Sequence, residues 1–211
     1  MKLKILLAII FSTSFYLSGS AQNNGKPVKL AIKDIPESIK YDGKAKEAIK
    51  WTDTEGIHIV LATETGIYID KNVEHESDGT DAALYVYHYI LNNRQPLLAW
   101  KIQDFIQDCP VDIEVSFIKN TLQTTDLNAD GIPEIWVMYK TVCHGDISPS
   151  DMKIIMYQGK KKYAMRGTTK VQIAVNSYEG GEYKFDKAFT AAPEKFRQFA
   201  KSLWNKNITG K

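Results

Sequence analysis

Oxygen-bearing side chains recur at every second position from Asp126 through Asn128 to Asp130; Gly131 follows the third, and Glu134 closes the run. That spacing suits a hard cation. Calcium takes about six to eight oxygen ligands at about 2.3–2.6 Å, and alternate residues of a tightly curved segment can all face one centre. Asp126, Asn128 and Asp130 would supply the first three ligands, Ile132 its backbone carbonyl, and Glu134 a carboxylate, directly or through water. Gly131 carries no Cβ and so permits the sharp turn. Three carboxylates around a divalent ion leave the centre slightly anionic, which favours binding. Calcium (Ca2+) is the expected ion, because magnesium keeps several waters and takes fewer protein oxygens. The alternative is an acidic turn that holds nothing, since Asp, Asn and Gly also build ordinary turns.

The flanks decide which kind of loop this is. A helix–loop–helix site wants a bidentate Glu at its twelfth position, which here is Val137. Beyond the loop, Ile135, Val137 and Tyr139 alternate with Trp136, Met138 and Lys140, a strand period. The segment therefore resembles the calcium loops between β-strands in integrin-type and other extracellular repeats. It occurs once, which argues against a propeller of such repeats.

Other residues offer weaker chemistry. His144 and Asp146 follow Cys143 in the run Cys-His-Gly-Asp-Ile-Ser-Pro, and are the weak catalytic candidates; the plainer reading is a turn that ends a strand. No nucleophile-elbow sequence accompanies them. His58 and His88 fall within strands and read as core or sheet-surface residues rather than ligands. His75 stands between Glu74 and Glu76, a solvated charge cluster or, alternatively, a metal site. Tyr85, Tyr87, Tyr89 and Trp136 offer a sugar-stacking platform, but such residues are also ordinary strand formers. With no catalytic constellation, the chain reads as a binding protein rather than an enzyme.

The compartment follows from the start of the chain. Lys2 and Lys4 precede a largely apolar stretch, and Gly19-Ser20-Ala21 offers small residues for cleavage, so residues 1–21 read as a signal peptide. The apolar run is short for a membrane span, and no later segment is long and apolar enough to be one. Export to the periplasm, the cell surface or the medium is expected. The formal charge of +2 falls to about zero once Lys2 and Lys4 leave, so neither nucleic acid nor an anionic membrane is an expected partner. The two cysteines, Cys109 and Cys143, are expected to form a disulfide in that setting.

These elements must position the loop. Asp126 lies midway between the cysteines. A chain folded symmetrically there would pair Phe117 with Ile135, Val115 with Val137 and Ile113 with Tyr139, all with apolar faces aligned. That places the ion at the tip of a hairpin and the disulfide at its base. Residues 22–29 read as a flexible lead-in, and 30–211 as one β-rich domain. Within it, 44–51 reads as a short helix, with Ala45, Ala48 and Ile49 on one side. Strands are expected over 57–63 and 67–70 about a Thr-Glu-Thr-Gly turn, then over 83–91 and 96–105. Further strands are expected at 152–157, 163–166, around Val171 to Val175, and at 183–185. Phe196, Phe199, Ala200, Leu203 and Trp204 mark a C-terminal helix begun at Pro193. The expected fold class is α+β: a mostly antiparallel β-sheet with a hairpin-tip calcium loop, one disulfide and a C-terminal helix.

Several runs together resemble a family of small exported Gram-negative bacterial proteins named for surface polysaccharide biosynthesis. They are the 126–134 loop with Ile135-Trp136, the Cys143-to-Pro149 run, Lys162-Tyr163-Ala164-Met165-Arg166-Gly167, Leu98-Ala99-Trp100-Lys101-Ile102, and Asp108-Cys109-Pro110. The resemblance implies a link to lipopolysaccharide or O-antigen production but carries over no catalytic residue. A non-enzymatic calcium-bound domain that binds an envelope glycan or a protein partner is therefore expected. An enzyme of surface polysaccharide metabolism and a secreted inhibitor of a hydrolase are the alternatives.

Overall fold

The computed structural model describes residues 25–76 and 78–210, so the expected signal peptide at 1–21 lies outside the described residues. The first half of the chain forms five strands: β1 (Val28–Lys29), β2 (Lys44–Thr52), β3 (Ile57–Tyr68), β4 (Thr80–Asn92) and β5 (Gln95–Cys109). The second half forms β6 (Ile113–Phe117), β7 (Gln123–Thr125), β8 (Glu134–Cys143), β9 (Asp151–Gln158), β10 (Lys161–Thr168), β11 (Lys170–Ala174), β12 (Ser177–Gly180) and β13 (Tyr183–Phe185). Two helices follow, α1 (Lys187–Thr190) and α2 (Glu194–Lys206). The first five strands make one sheet in sequence order, and the second sheet runs β13-β10-β9-β8-β6, with β7 also against β8. Strands β11 and β12 pair with each other.

Side-chain alternation makes the layers. Along β4, Leu84 and Val86 face the second sheet, where they meet Ile135, Val137 and Ile155. The intervening Tyr85, Tyr87 and Tyr89 face the other way, into a core closed by Leu30 and Ile39 of the N-terminal segment. Along β8, Ile135, Val137 and Tyr139 face the first sheet, while Trp136 and Met138 face the helices. Phe196, Ala200, Leu203 and Trp204 of α2 cover that outer face. Pro193 is the N-cap, with φ −49° and ψ 141°, so the helix begins at Glu194, one residue after the expected start. The single expected sheet is thus two antiparallel sheets packed face to face, each with its outer face covered.

Three local expectations change. Residues 44–51 form strand β2, not a helix. A bulge at Lys46 puts Ala45 and Ala48 on one face, and that three-residue spacing imitates a helix. The turn expected at 63–66 is a second bulge within one continuous strand, with Gly66 at φ 72° and the Thr65 hydroxyl bonded to the Ala83 backbone. Within the expected lead-in, Val28 and Lys29 pair with Lys50 and Ile49 at the sheet edge.

The disulfide joins Cys109 to Cys143 with a Cα–Cα distance of 5.9 Å, linking the end of β5 to the end of β8 and so one sheet to the other. The hairpin beside it has a different register: Ile113 lies opposite Cys143 and Phe117 opposite Tyr139, four positions along β8 from the symmetric pairing. An even shift keeps the faces, so the apolar alternation survives. The bend is centred in the middle of the loop rather than at Asp126, because Thr125 pairs with Glu134 and all of 126–133 lies inside it. Between β6 and β7 the chain detours, and the Thr121 hydroxyl fills the ladder there by bonding Met138 N and O.

Candidate metal centre

Strands β7 and β8 hold the two ends of the loop, and its own acids shape it. The Asp126 carboxylate accepts from Asp130 N at 3.1 Å and Gly131 N at 3.2 Å. Asp130 Oδ1 accepts from Ile132 N at 2.8 Å. Ala129 and Gly131 supply left-handed bends, with φ 59° and 78°.

Three of the five expected ligands meet at one point. Asn128 Oδ1, Asp130 Oδ2 and the Ile132 carbonyl lie 3.3, 2.9 and 3.5 Å from the side-chain nitrogen of Gln158 at the end of β9. An amide NH2 has two protons; Asp130 Oδ2 also accepts from Asn128 Nδ2 at 2.8 Å, which leaves the Ile132 carbonyl the most weakly served of the three. Asp126 is instead engaged by the backbone N–H groups of Asp130 and Gly131. Glu134 is 0 % exposed. Its Oε2 accepts from Thr125 Oγ1 at 2.6 Å and Leu127 N at 2.9 Å, while its Oε1 is buried with no hydrogen-bond partner. The Asp126, Asp130 and Glu134 carboxylates are not gathered within 4.8 Å of one another; among the described residues, Asp53, Glu55 and His58 are. Gln158 had no signal in the sequence, since a strand-end glutamine is common and only the β8–β9 register carries it to the loop.

Two clefts adjoin the loop, of about 480 and about 460 Å³, and share Trp51, Asp53, Gly131 and Pro133. In the second, His58 Nε2 lies 2.8 Å from Asp53 Oδ1, and His58 Nδ1 lies 2.9 Å from His88 Nε2. Trp51 stacks on His58 at 4.6 Å. Burial, reinforced by the neighbouring His58, pushes the His88 imidazole down to about 3. Burial alone would raise the Asp53 carboxyl, but hydrogen bonds from His58 and Glu55 N outweigh it and hold it below its ordinary value. As expected from the sequence, His58 and His88 are buried in the sheet core; their contact with Asp53 is not visible from strand periodicity.

The remaining candidates lie elsewhere. His144 and Asp146 pair with each other at 3.3 Å in the loop after β8, and neither lines the two clefts. His75 Nε2 bonds Asp81 Oδ2 at 2.9 Å rather than joining Glu74 and Glu76 around a metal. Tyr85, Tyr87, Tyr89 and Trp136 are buried. The Tyr87 hydroxyl bonds Asp42, the Tyr89 hydroxyl bonds Lys40 O, and Trp136 Nε1 bonds Thr125 Oγ1. They therefore present no platform for stacking sugars.

Fold and loop together define a disulfide-linked protein of two antiparallel sheets, with an oxygen-lined loop at one hairpin tip. Comparison with protein-family models, with curated proteins and with solved structures finds no match to this chain.

Proposed function

We propose that this is an exported, non-enzymatic, calcium-binding β-rich domain that supports surface polysaccharide or lipopolysaccharide assembly by binding a glycan or protein partner. The calcium part is carried by the loop: three oxygens converge on one nitrogen while Glu134 keeps a buried carboxylate oxygen without a partner. Burying a charge without compensation is costly. A divalent ion would supply the missing charge and displace the Gln158 amide, and Asn128, Asp130 and Ile132 would close on it. Asp126 would keep the loop curved. The disulfide between Cys109 and Cys143 supports an oxidising compartment, hence export. The polysaccharide link rests on the family resemblance of the sequence runs. With the tyrosine ladder buried, partner contact falls to the clefts beside the loop, where Ile132 is 49 % exposed.

A melting scan in calcium and in chelator tests the ion. Calcium at a hundred times its dissociation constant stabilises the folded state by about 2.7 kcal/mol. For a chain of this size that raises the melting temperature by roughly 5–10 °C. Identical melting in both solutions overturns the calcium reading. For the cellular role, deletion is expected to change the surface-polysaccharide ladder on a gel. An unchanged ladder overturns the polysaccharide reading, and turnover of an envelope glycan by the purified protein overturns the non-enzymatic one.

A further inference from the structure

The hairpin turn between β2 and β3 carries a second set of ligand atoms. One carboxylate oxygen each from Asp53 and Glu55, and one ring nitrogen of His58, lie within 4.8 Å of one another. We propose that Asp53, Glu55 and His58 form a binding site for a divalent d-block cation of the zinc class, separate from the loop at 126–134. The proposal is independent of the calcium reading.

Ligand type selects the ion. One imidazole and two carboxylates suit zinc and its neighbours, whereas calcium takes oxygen alone. The two acids balance the charge of a divalent ion. Spacing agrees: Asp53 Oδ1 and His58 Nε2 are 2.8 Å apart, and bonds of about 2.0 Å in a tetrahedral shell put ligands about 3.3 Å apart. A widening of a few tenths of an ångström admits the ion. Glu55 is exposed at the turn, with a carboxylate oxygen already within 4.8 Å of the other two ligand atoms. Three protein ligands leave a fourth position open to the 460 Å³ cleft.

The support behind His58 lies outside the cluster. A metal-bound imidazole donates its other N–H to an acceptor, which fixes the ring. His88 Nε2 stands 2.9 Å from His58 Nδ1 and fills that role. His88 comes from β4, is 5 % exposed, and lines the same cleft with its Nδ1 buried and unpartnered. With Nε2 accepting there, a neutral His88 carries its proton on Nδ1, which defines the tautomer of both rings. Trp51 holds the His58 ring from one side.

Zinc titration of tag-free, disulfide-intact protein, with calcium at saturation, tests the site. One equivalent of zinc is expected to bind. Glu55→Gln and Asp53→Asn should each weaken it at least tenfold, while Asp130→Asn leaves it unchanged. Glu55 is exposed, so Glu55→Gln keeps the fold even if Asp53→Asn does not. Imidazole nitrogen NMR of the wild type adds a readout independent of any variant: zinc should shift His58 Nε2. Absence of zinc uptake, uptake that Glu55→Gln leaves intact, or a shift confined to His75 or His144 overturns the proposal.

Discussion

Glu134 is a fully buried carboxylate with only one of its two oxygens hydrogen-bonded. It pairs across the sheet with Thr125 and Gln158, and no part of it reaches solvent. Two donors serve one oxygen and none serves the other. A glutamine there keeps a carbonyl for Thr125 and Leu127 but cannot offer an anion to a cation. Because an uncompensated buried charge costs more than an unpaired amide, Glu134→Gln should melt in chelator at the wild-type temperature or a few degrees above it. The same variant should lose at least tenfold in calcium affinity and most of the calcium-induced rise in melting. Melting in chelator that drops by several degrees would instead mark Glu134 as a structural residue that needs no ion. A single-sequence reading picks out Glu134 as the acid closing an oxygen-rich run. Its complete burial depends on β7 and β9 flanking it, which no local pattern reports.

At the scale of elements, alternation in the sequence identifies faces well and partners poorly. The strands at 83–91, 96–105, 152–157 and 163–166, and α2, all stand where the periodicity puts them, somewhat extended at their ends. The helix expected at 44–51 failed because a bulge borrowed a helical interval. The hairpin register differs from the symmetric one because Thr125 pairs with Glu134, which leaves all of 126–133 inside the bend. Long-range pairs such as His58 with His88 depend on registers that are set by turns, not by period. The polar loop ahead of β4 shows the same dependence. It is fastened by Asp81, 2 % exposed, whose carboxylate accepts from Asp70 N, Asp108 N and the His75 ring. The hydrogen bond to Asp81 raises His75 above its ordinary value. Burial alone would raise the Asp81 carboxyl, but the N–H groups of Asp108 and Asp70 and the His75 ring outweigh it and hold it low. The histidine contribution is complete below about pH 6.5 and disappears as pH climbs through the raised folded value. The aspartate contribution is complete above about pH 4 and disappears as pH falls through the depressed one. Protection of the Asp70 and Asp108 amides from hydrogen exchange, corrected for intrinsic rates, should therefore be greatest between about pH 4 and 6.5. It should decline towards pH 8, and His75→Ala should remove that decline. A protection profile that His75→Ala leaves unchanged would show that the ring does not fasten the loop.

At the scale of the molecule, four layers are stacked: the N-terminal segment, two sheets and the C-terminal helices. Few groups cross between the sheets other than apolar side chains. One polar crossing is the Glu64 carboxylate of β3, which accepts from Phe117 N of β6 at 2.8 Å and pairs with Lys46 at 2.8 Å. The disulfide is the covalent crossing, and it ties the last residue of the first sheet to the last residue of β8. Its 34-residue separation encloses the whole loop hairpin. In the chain-entropy account, closing a loop of that size removes about 3–4 kcal/mol of freedom from the unfolded chain. A chain of this size loses roughly 2–4 °C per kcal/mol, so the Cys109→Ala, Cys143→Ala double variant should melt on the order of 10 °C lower. The constraint acts on the unfolded chain and at the open end of the hairpin, whereas the 126–133 loop lies at the closed tip. Calcium should consequently raise the melting temperature of the double variant by the same increment as in the wild type, because effects at distant, independent sites add. If the increment vanishes with the disulfide, the staple is setting the loop's geometry from the far end of β8, and the hairpin works as one rigid lever rather than as two separate devices.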